Sequence, residues 1–176
     1  MRGADASAGT IKSGGSTRRA AKMVVLDVDH PDIEEFIATR AEEEKKIRVL
    51  RDAGFAMDLG GKDLFSVQYQ NANNSVRVTD DFMKAVEQNK PFGLRARTTD
   101  EIIEQVDAKT LFRSMAQAAW ECADPGIQYD TTINEWHTNP NTGRITASNP
   151  CFTGDTFVHT TKGLIRFRDL IDRKST

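Results

Sequence analysis

Apolar residues in the first third of the chain form a short continuous run, followed by positions at helical spacing. The run KMVVLDVD at 22–29 is rich in β-branched residues and predicts a buried strand. After Pro31, which suits a first helical turn, apolar residues recur about every three to four positions, and Gly54 suits the end of a helix. These positions are Ile33, Phe36, Ile37, Ala41, Ile47 and Leu50. A strand followed by a helix is typical of α/β folds.

The middle of the chain predicts three more strands. LFSVQYQ at 64–70 and SVRV at 75–78 flank an Asn-rich turn at 71–74. GLRAR at 93–97 is the third candidate. The class predicted from this pattern is α/β.

Capping residues predict three helices between and after these strands. Thr79 is expected to cap a helix over 79–86, and Thr98 with Glu101 forms a capping-box pattern that predicts another short helix. Asp107 is expected to cap a longer helix. Its predicted apolar face consists of Leu111, Phe112, Met115, Ala119 and Trp120.

Both ends of the chain differ from this pattern. Residues 1–19 are rich in Gly, Ala, Ser and Thr and predict a loop, and 127–150 is also loop-rich. From Cys151 onward the α/β alternation stops. TFVHT at 156–160 and LIRF at 164–167 predict a β-hairpin.

Composition restricts the class of protein but not its chemistry. The 176 residues, 38% of them hydrophobic with a net charge of −2, are enough for one domain with a core. Near-neutral charge argues against nucleic acid as a partner, and the absence of a long apolar run argues against a membrane. We expect a cytoplasmic protein. Two cysteines, Cys122 and Cys151, form neither a disulfide framework nor a zinc site, so no metal site is expected.

A glycine-containing basic segment is one candidate for chemistry. Its glycines would let backbone N–H groups approach an anion, and its cations would attract a triphosphate. The residues are Lys12, Ser13, Gly14, Gly15, Arg18 and Arg19. A plain surface loop remains the alternative, and the spacing is not that of a Walker A loop.

The second candidate is Cys151, which follows Asn149 and Pro150. A lone cysteine is usually an inert thiol, and a reactive one needs a general base or a positive environment. His137 and His159 are possible partners that the sequence does not pair with it.

Three other patterns have structural interpretations. Charged residues 42–46 predict a solvated helix face with i,i+3 and i,i+4 pairs. His137 beside Trp136 is expected to be packed, and Cys122 is expected in the core.

Residues 2–150 resemble an internal stretch of the large catalytic subunit of ribonucleotide reductase, in its adenosylcobalamin-dependent (class II) form. The resemblance rests on RGADASAG, IKSGGSTRRAAKMVVLDVDHPDIEEFI, YQNANNSVRVTDDFM, DPGIQYDTTINEWHT, NTGRI and ASNPC, in the order found in the family. It implies part of a ten-stranded α/β barrel.

The resemblance also implies residue roles. Residues 13–19 match the specificity loop, with Lys12, Arg18 and Arg19 as polar contacts, and Asn149 matches the asparagine that hydrogen-bonds the substrate ribose. Cys151 falls where the family has its thiyl-radical cysteine, the radical coming from adenosylcobalamin. The implied partners are a ribonucleoside diphosphate or triphosphate substrate, a deoxynucleotide effector and a thioredoxin-type reductant.

The chain departs from the family after Cys151, because Thr153 stands where a catalytic glutamate is expected. CFTGDTFVHTTKGLIRFRDL instead resembles the first block of an intein, a Hint-type domain. This implies a reductase segment (N-extein) at 1–150 and an intein segment at 151–176, with the splice junction at Pro150 and Cys151. Cys151 would then be the nucleophile that attacks the Pro150 carbonyl.

Two expectations follow from that departure. The chain is expected to be a piece of a longer reductase and inactive alone. The alternative is the N-terminal half of a split intein, acting in trans-splicing with a C-intein fragment through Cys151.

Overall fold

The computed structural model describes residues 1–10, 22–57, 62–63, 67–69, 71–149, 155, 157–161 and 163–166. The first elements are α1 (Arg2–Thr10), β1 (Met23–Asp27), α2 (Ile33–Asp52), β2 (Asn73–Val78) and α3 (Asp80–Gln88). They are followed by β3 (Pro91–Arg95), β4 (Ile102–Asp107), α4 (Ala108–Cys122), β5 (Gly126–Tyr129) and α5 (Asp130–Glu135). A 3₁₀ turn (Pro140–Thr142) and strands β6 (Phe157–Thr160) and β7 (Gly163–Arg166) come last.

A parallel sheet of order β1-β2-β5 organises the larger part of the chain. Met23 pairs with Asn73, and Ser75 pairs with Gly126, so β2 lies between the other two strands. Helix α2 connects β1 to β2, and α3 and α4 lie between β2 and β5 in the chain. The predicted α/β class is confirmed, and the parallel pairing places the carboxyl ends of all three strands along one edge.

The core lies between this sheet, the helices and β3. Phe82, Ile33, Leu94 and Met115 are fully buried in one continuous cluster. The rings of Phe82 and Phe92 meet edge to face with centroids 5.0 Å apart. The helix predicted after Pro31 is confirmed as α2, whose buried residues contribute to this cluster.

Two predicted helix caps are confirmed. The Thr79 hydroxyl accepts a hydrogen bond from the Phe82 N–H at 3.3 Å, and Asp107 Oδ1 accepts one from the Thr110 N–H at 2.6 Å. Hydrogen bonds from the Thr110 side chain and backbone hold the pKa of Asp107 below its ordinary value. These caps fix where α3 and α4 begin.

The predicted face of α4 is wrong at one position. Leu111, Met115 and Ala118 are buried, whereas Trp120 is 82% exposed. The buried positions follow one another at four and three residues, and Trp120 lies off that stripe.

The helix predicted from Thr98 and Glu101 is wrong. Residues 97–99 form a turn, and 102–107 continue as β4, which pairs antiparallel with β3. Backbone pairing with β3 outweighs the local capping pattern because it satisfies the N–H and C=O groups of alternate residues on both strands.

The loop predicted at the N-terminus is also wrong where the structure describes it, since Arg2–Thr10 is helical. Asp5 on this helix is buried, and its carboxylate accepts hydrogen bonds from the Asn71 and Ala72 backbone N–H groups at 2.8 and 2.9 Å. The partners in these contacts lie 66 and 67 residues apart in the chain, so a local sequence pattern does not predict them.

Three other predictions need correction. The loop-rich 127–150 contains most of β5 and all of α5. Residues 67–69 are not a strand, and the rest of 64–70 lies outside the described residues. Glu43, predicted on a solvated face, is 8% exposed, and its Oε2 accepts from the Gln68 N–H at 3.1 Å.

The described residues form a three-stranded sheet and two two-stranded ones, and a closed ten-stranded barrel is not seen among them. The predicted C-terminal hairpin is confirmed as β6 and β7, which pair antiparallel. Among the described helices, none has the length and apolar character needed to cross a membrane.

Candidate functional site

Charged side chains meet at the carboxyl edge of the parallel sheet. Asp27 ends β1, Arg77 lies in β2 and Asp130 follows β5 directly. Arg77 Nε donates to Asp27 Oδ1 at 2.6 Å, and Arg77 Nη1 lies 3.6 Å from Asp130 Oδ1. Ligands of α/β sheets bind at this edge, which makes the strand-end cluster the first place to look for function.

Arg77 is the centre of this cluster. Partial burial favours loss of its proton, but the hydrogen bond and charge of Asp27, together with Asp130 and Asp29, outweigh burial and raise the pKa of the guanidinium. Arg77 therefore stays charged and holds the ends of β1, β2 and β5 together.

The cluster contains two further arginines. Arg97 donates to Asp29 Oδ1, and Arg144 donates to Asp130 Oδ2. Each guanidinium in the cluster thus has a carboxylate partner. We conclude that this network fixes chain segments in place rather than offering an unneutralised cation to a phosphate.

One of the segments so fixed is residues 144–148, here named the strap. Asn134 Nδ2 donates to the Ile145 carbonyl at 3.1 Å, and the Ile145 N–H donates back to Asn134 Oδ1 at 2.9 Å. Arg77 Nη1 donates to the Thr146 carbonyl at 2.8 Å. Side chains from β2 and α5 therefore satisfy backbone groups of the strap.

Gln128 holds the far end of the strap. Its Nε2 donates to the Ser148 carbonyl at 2.7 Å, and the Ser148 N–H donates to Gln128 Oε1 at 3.1 Å. Gln128 lies on β5 and is only 6% exposed. Its amide is therefore committed to the strap rather than to solvent.

Two clefts adjoin the cluster. A cavity of about 220 Å³ is lined by Asp27, Asp29, Arg77 and Phe92 among others, and a wider one of about 560 Å³ by residues of α3 and α5. Thr79 and Asp130 line both. Space for a polar ligand is thus continuous with the residues that fix the strap.

Of the residues predicted to be functional, Asn149 is the one that the structure describes. It is exposed and directly follows Ser148 at the end of the strap. The predicted Lys12, Ser13, Gly14, Gly15, Arg18, Arg19, Pro150 and Cys151 lie outside the described residues. The structure therefore places Asn149 directly after the strap and leaves its role, like the other assignments, a prediction.

Among the side chains that the structure describes, Cys122 and His137 show no catalytic pairing. Burial raises the pKa of Cys122, and its Sγ lies 3.2 Å from the Ala118 carbonyl oxygen, as expected for a thiol packed at the core edge. His137 Nδ1 accepts from the Asn139 N–H at 3.3 Å. Trp136 beside it is 82% exposed. Within the described ranges, no group of three or more His, Cys, Asp or Glu is placed to hold a metal ion.

The sequence patterns did not single out Gln128, Arg77 or Asp130. The sequence did contain an indication for Arg77, which lies between Val76 and Val78. A charge inside an otherwise apolar strand needs a partner. Gln128 gave no comparable indication, since its partner is a backbone segment 20 residues away.

Comparison with known families identifies the class of protein that this fold and edge belong to. Residues 1–153 match the family described as "Ribonucleotide reductase, barrel domain". The chain therefore belongs to the ribonucleotide reductase family, through its barrel domain.

Individual relatives of this chain have more specific names than the family does. A "Vitamin B12-dependent ribonucleotide reductase" of Streptomyces clavuligerus is 79% identical over 151 residues, 86% of this chain and 16% of that protein. The protein of that name from Rhodopirellula baltica is 54% identical over 153 residues, 86% of this chain and 15% of its own.

A more distant relative comes from Mycobacterium tuberculosis. Its "Vitamin B12-dependent ribonucleoside-diphosphate reductase" is 36% identical over 147 residues, 84% of this chain and 18% of that protein. The chain thus spans less than a fifth of the length of each of these relatives.

Proposed function

We propose that this chain is the part of an adenosylcobalamin-dependent ribonucleotide reductase that carries the active-site asparagine and leads into the active-site cysteine. The observation that carries the proposal is the strap, which six hydrogen bonds or ion pairs fix at the carboxyl edge of the sheet and which Asn149 follows directly. The 79% identity to a relative named as such a reductase supports it.

The proposal assigns roles to the predicted residues. Asn149 hydrogen-bonds the ribose of a ribonucleoside diphosphate or triphosphate, and the position of Cys151 is that of the radical cysteine in the mature enzyme. Lys12, Arg18 and Arg19, with Ser13, Gly14 and Gly15, respond to a deoxynucleotide effector. A thioredoxin-type dithiol supplies the reducing equivalents.

The described residues do not fit the cobalamin itself. The widest cleft that adjoins the cluster, about 560 Å³, is an open one lined largely by charged and polar side chains rather than by an apolar wall for a corrin ring.

The test is an assay of the complete mature enzyme. With adenosylcobalamin, a dithiol and each ribonucleotide in turn, we expect a deoxyribonucleotide to form, detected by mass spectrometry. Asn149→Ala removes one hydrogen bond to the substrate, so we expect kcat to fall about tenfold or more.

Asn141→Ala is the matched control, because Asn141 is an exposed asparagine in the 3₁₀ turn. Its kcat should equal that of the wild type. A wild-type enzyme that forms no deoxyribonucleotide under these conditions contradicts the proposed function.

We propose further that an intein begins at Cys151. Three observations favour it: the family match stops at residue 153, Thr153 stands where the family glutamate is expected, and β6 and β7 form a hairpin. In this chemistry the Cys151 thiol adds to the Pro150 carbonyl. The Pro150–Cys151 C–N bond breaks, a thioester forms and the Cys151 amine takes up a proton.

Two settings would give this intein a partner. Either the rest of the intein follows in the same precursor, or a separate C-intein fragment completes it in trans. Expression of the chain with a candidate C-intein fragment, and of the longer precursor without one, followed by mass spectrometry, distinguishes the two settings.

Cys151→Ala should abolish both ligated product and thioester trapped by added thiol, and Cys122→Ala should abolish neither. Absence of both products from the wild-type chain together with the C-intein fragment contradicts the trans-splicing alternative.

A further inference from the structure

We propose that Gln128 is a positioning residue for the active-site segment, setting the place of Asn149 through its paired hydrogen bonds to Ser148. The inference rests on the proposed function, because it assumes that Asn149 contacts the substrate. Nothing in the family comparison assigns a role to this glutamine.

The side-chain amide of Gln128 has the geometry needed to bond both backbone groups of one residue. A carboxamide offers one acceptor and a donor, the same pair that a neighbouring strand residue would offer to a backbone. Gln128 uses both on a single residue, donating to the Ser148 carbonyl at 2.7 Å and accepting from its N–H at 3.1 Å. The amide thus acts as a one-residue substitute for a strand.

Burial makes the contact between Gln128 and Ser148 hard to replace. Gln128 is 6% exposed, so its amide has little access to water if the Ser148 contact is lost. A buried polar group without a partner costs free energy, and this cost makes the paired geometry of Ser148 strongly preferred.

A second side-chain amide repeats the arrangement. Asn134 makes the same paired contact with Ile145, three residues before Ser148. Two paired contacts along one segment fix its direction as well as its position. Arg77, donating to Thr146 between them, fixes the segment against β2.

The position of Ser148 restricts the position of Asn149. Asn149 is bonded directly to Ser148, so its Cα lies about 3.8 Å from the Cα of the fixed residue. Active-site groups need placement to within about 0.5 Å, and a misplacement of about 1 Å can cost on the order of 100-fold in rate. A residue that touches no substrate can therefore control kcat.

The experiment is Gln128→Glu in the complete mature enzyme. Glutamate has the same shape and can still accept from the Ser148 N–H, but its carboxylate cannot donate to the Ser148 carbonyl and repels it. We expect kcat to fall about 10- to 100-fold, with a smaller change in KM.

Protonation of the introduced carboxyl restores a donor. The ratio of variant to wild-type kcat should therefore rise as the pH is lowered, and burial places that recovery above the ordinary glutamate range. A loss of stability alone would not produce a rate that recovers on acidification.

Gln105→Glu is the matched control, because Gln105 is an exposed glutamine on β4. It should leave kcat and its pH dependence unchanged. Thermal melting of all three proteins shows whether they are folded under assay conditions.

If Gln128→Glu does not fold, Gln128→Met, which retains the length of the side chain without its donor, is assayed in its place for the same kcat loss. A folded variant with wild-type kcat at all pH values overturns the inference. So does a kcat loss in Gln128→Glu that does not vary with pH. An inactive wild type would instead overturn the proposed function.

Discussion

Buried carboxylates decide several local arrangements in this chain. Asp5 accepts three hydrogen bonds from Asn71 and Ala72 and so ties α1 to the start of β2. Asp124, 5% exposed, accepts from the Asn74 N–H through Oδ2 at 2.9 Å, while its Oδ1 has no hydrogen-bond partner among the described atoms. The two carboxylates differ in how fully their burial is compensated.

Asp124 leads to a prediction about pH. Burial raises the pKa of its carboxyl above the ordinary 3.8, so the folded chain holds this proton more tightly than the unfolded chain does. Its contribution to the free energy of unfolding is therefore present below pH 3.8 and declines as the pH rises through the folded-state pKa. Asp124→Asn should remove this decline.

Urea unfolding at several pH values from 4 to 7 measures this decline in the free energy of unfolding. Asp52→Asn, at an exposed aspartate near the end of α2, is the control and should keep the wild-type pH profile. Equal profiles for Asp124→Asn and the wild type would show that burial of Asp124 does not couple to folding.

At the scale of elements, helix-capping patterns in the sequence predicted the structure correctly at two positions. They failed at a third, where a neighbouring strand pairs with the segment. Thr79 and Asp107 cap helices as their sequences predict, because a cap needs only the next three residues. Thr98 and Glu101 had the same local pattern, yet the chain continues into β4 because β3 lies beside it. The strand at 102–107 therefore depends on pairing with β3 rather than on the local sequence.

The close approach of β3 to β4 gives a prediction. A Cβ built at Gly93 would lie 2.9 Å from Ile102 Cδ1, so Gly93→Ala should destabilise the chain by about 1–3 kcal/mol. Combining it with Ile102→Ala should recover most of that loss, since the opposing side chain is then removed.

Gly3→Ala in α1 is the control, because nothing lies within 4 Å of the Cβ it would add, and it should stabilise by about 0.5–1 kcal/mol. Chemical denaturation of the wild type, Gly93→Ala, Ile102→Ala and the double variant measures the coupling between the two residues. Strictly additive effects of Gly93→Ala and Ile102→Ala would mean that the two residues do not limit each other's packing.

At the scale of the whole molecule, β2 is the centre of the described structure. It pairs on both sides, and Val76 and Val78 are at most 1% exposed. The β6–β7 hairpin, by contrast, has Phe157 and Leu164 more than half exposed.

This difference predicts the order of hydrogen exchange. Amides of β2 should exchange most slowly, at a rate set by global unfolding, and those of β6 and β7 much faster, through local opening. Mass spectrometry of the intact chain after timed exchange and proteolysis measures both. Hairpin amides as protected as those of β2 would contradict it.

The sequence by itself determined the α/β class, the bounds of β1 and α2 to within a few residues, two helix caps, the C-terminal hairpin and, through its motifs, the reductase family. These features depend on periodicity, capping and contiguous motifs, all of which are local in the chain. Tertiary structure alone decided that Arg2–Thr10 is helical, that 102–107 is a strand, that Trp120 is exposed and that Gln128 and Asn134 hold the strap. Each of these depends on which backbone groups or apolar surfaces an element meets, and those partners lie up to 67 residues away along the chain.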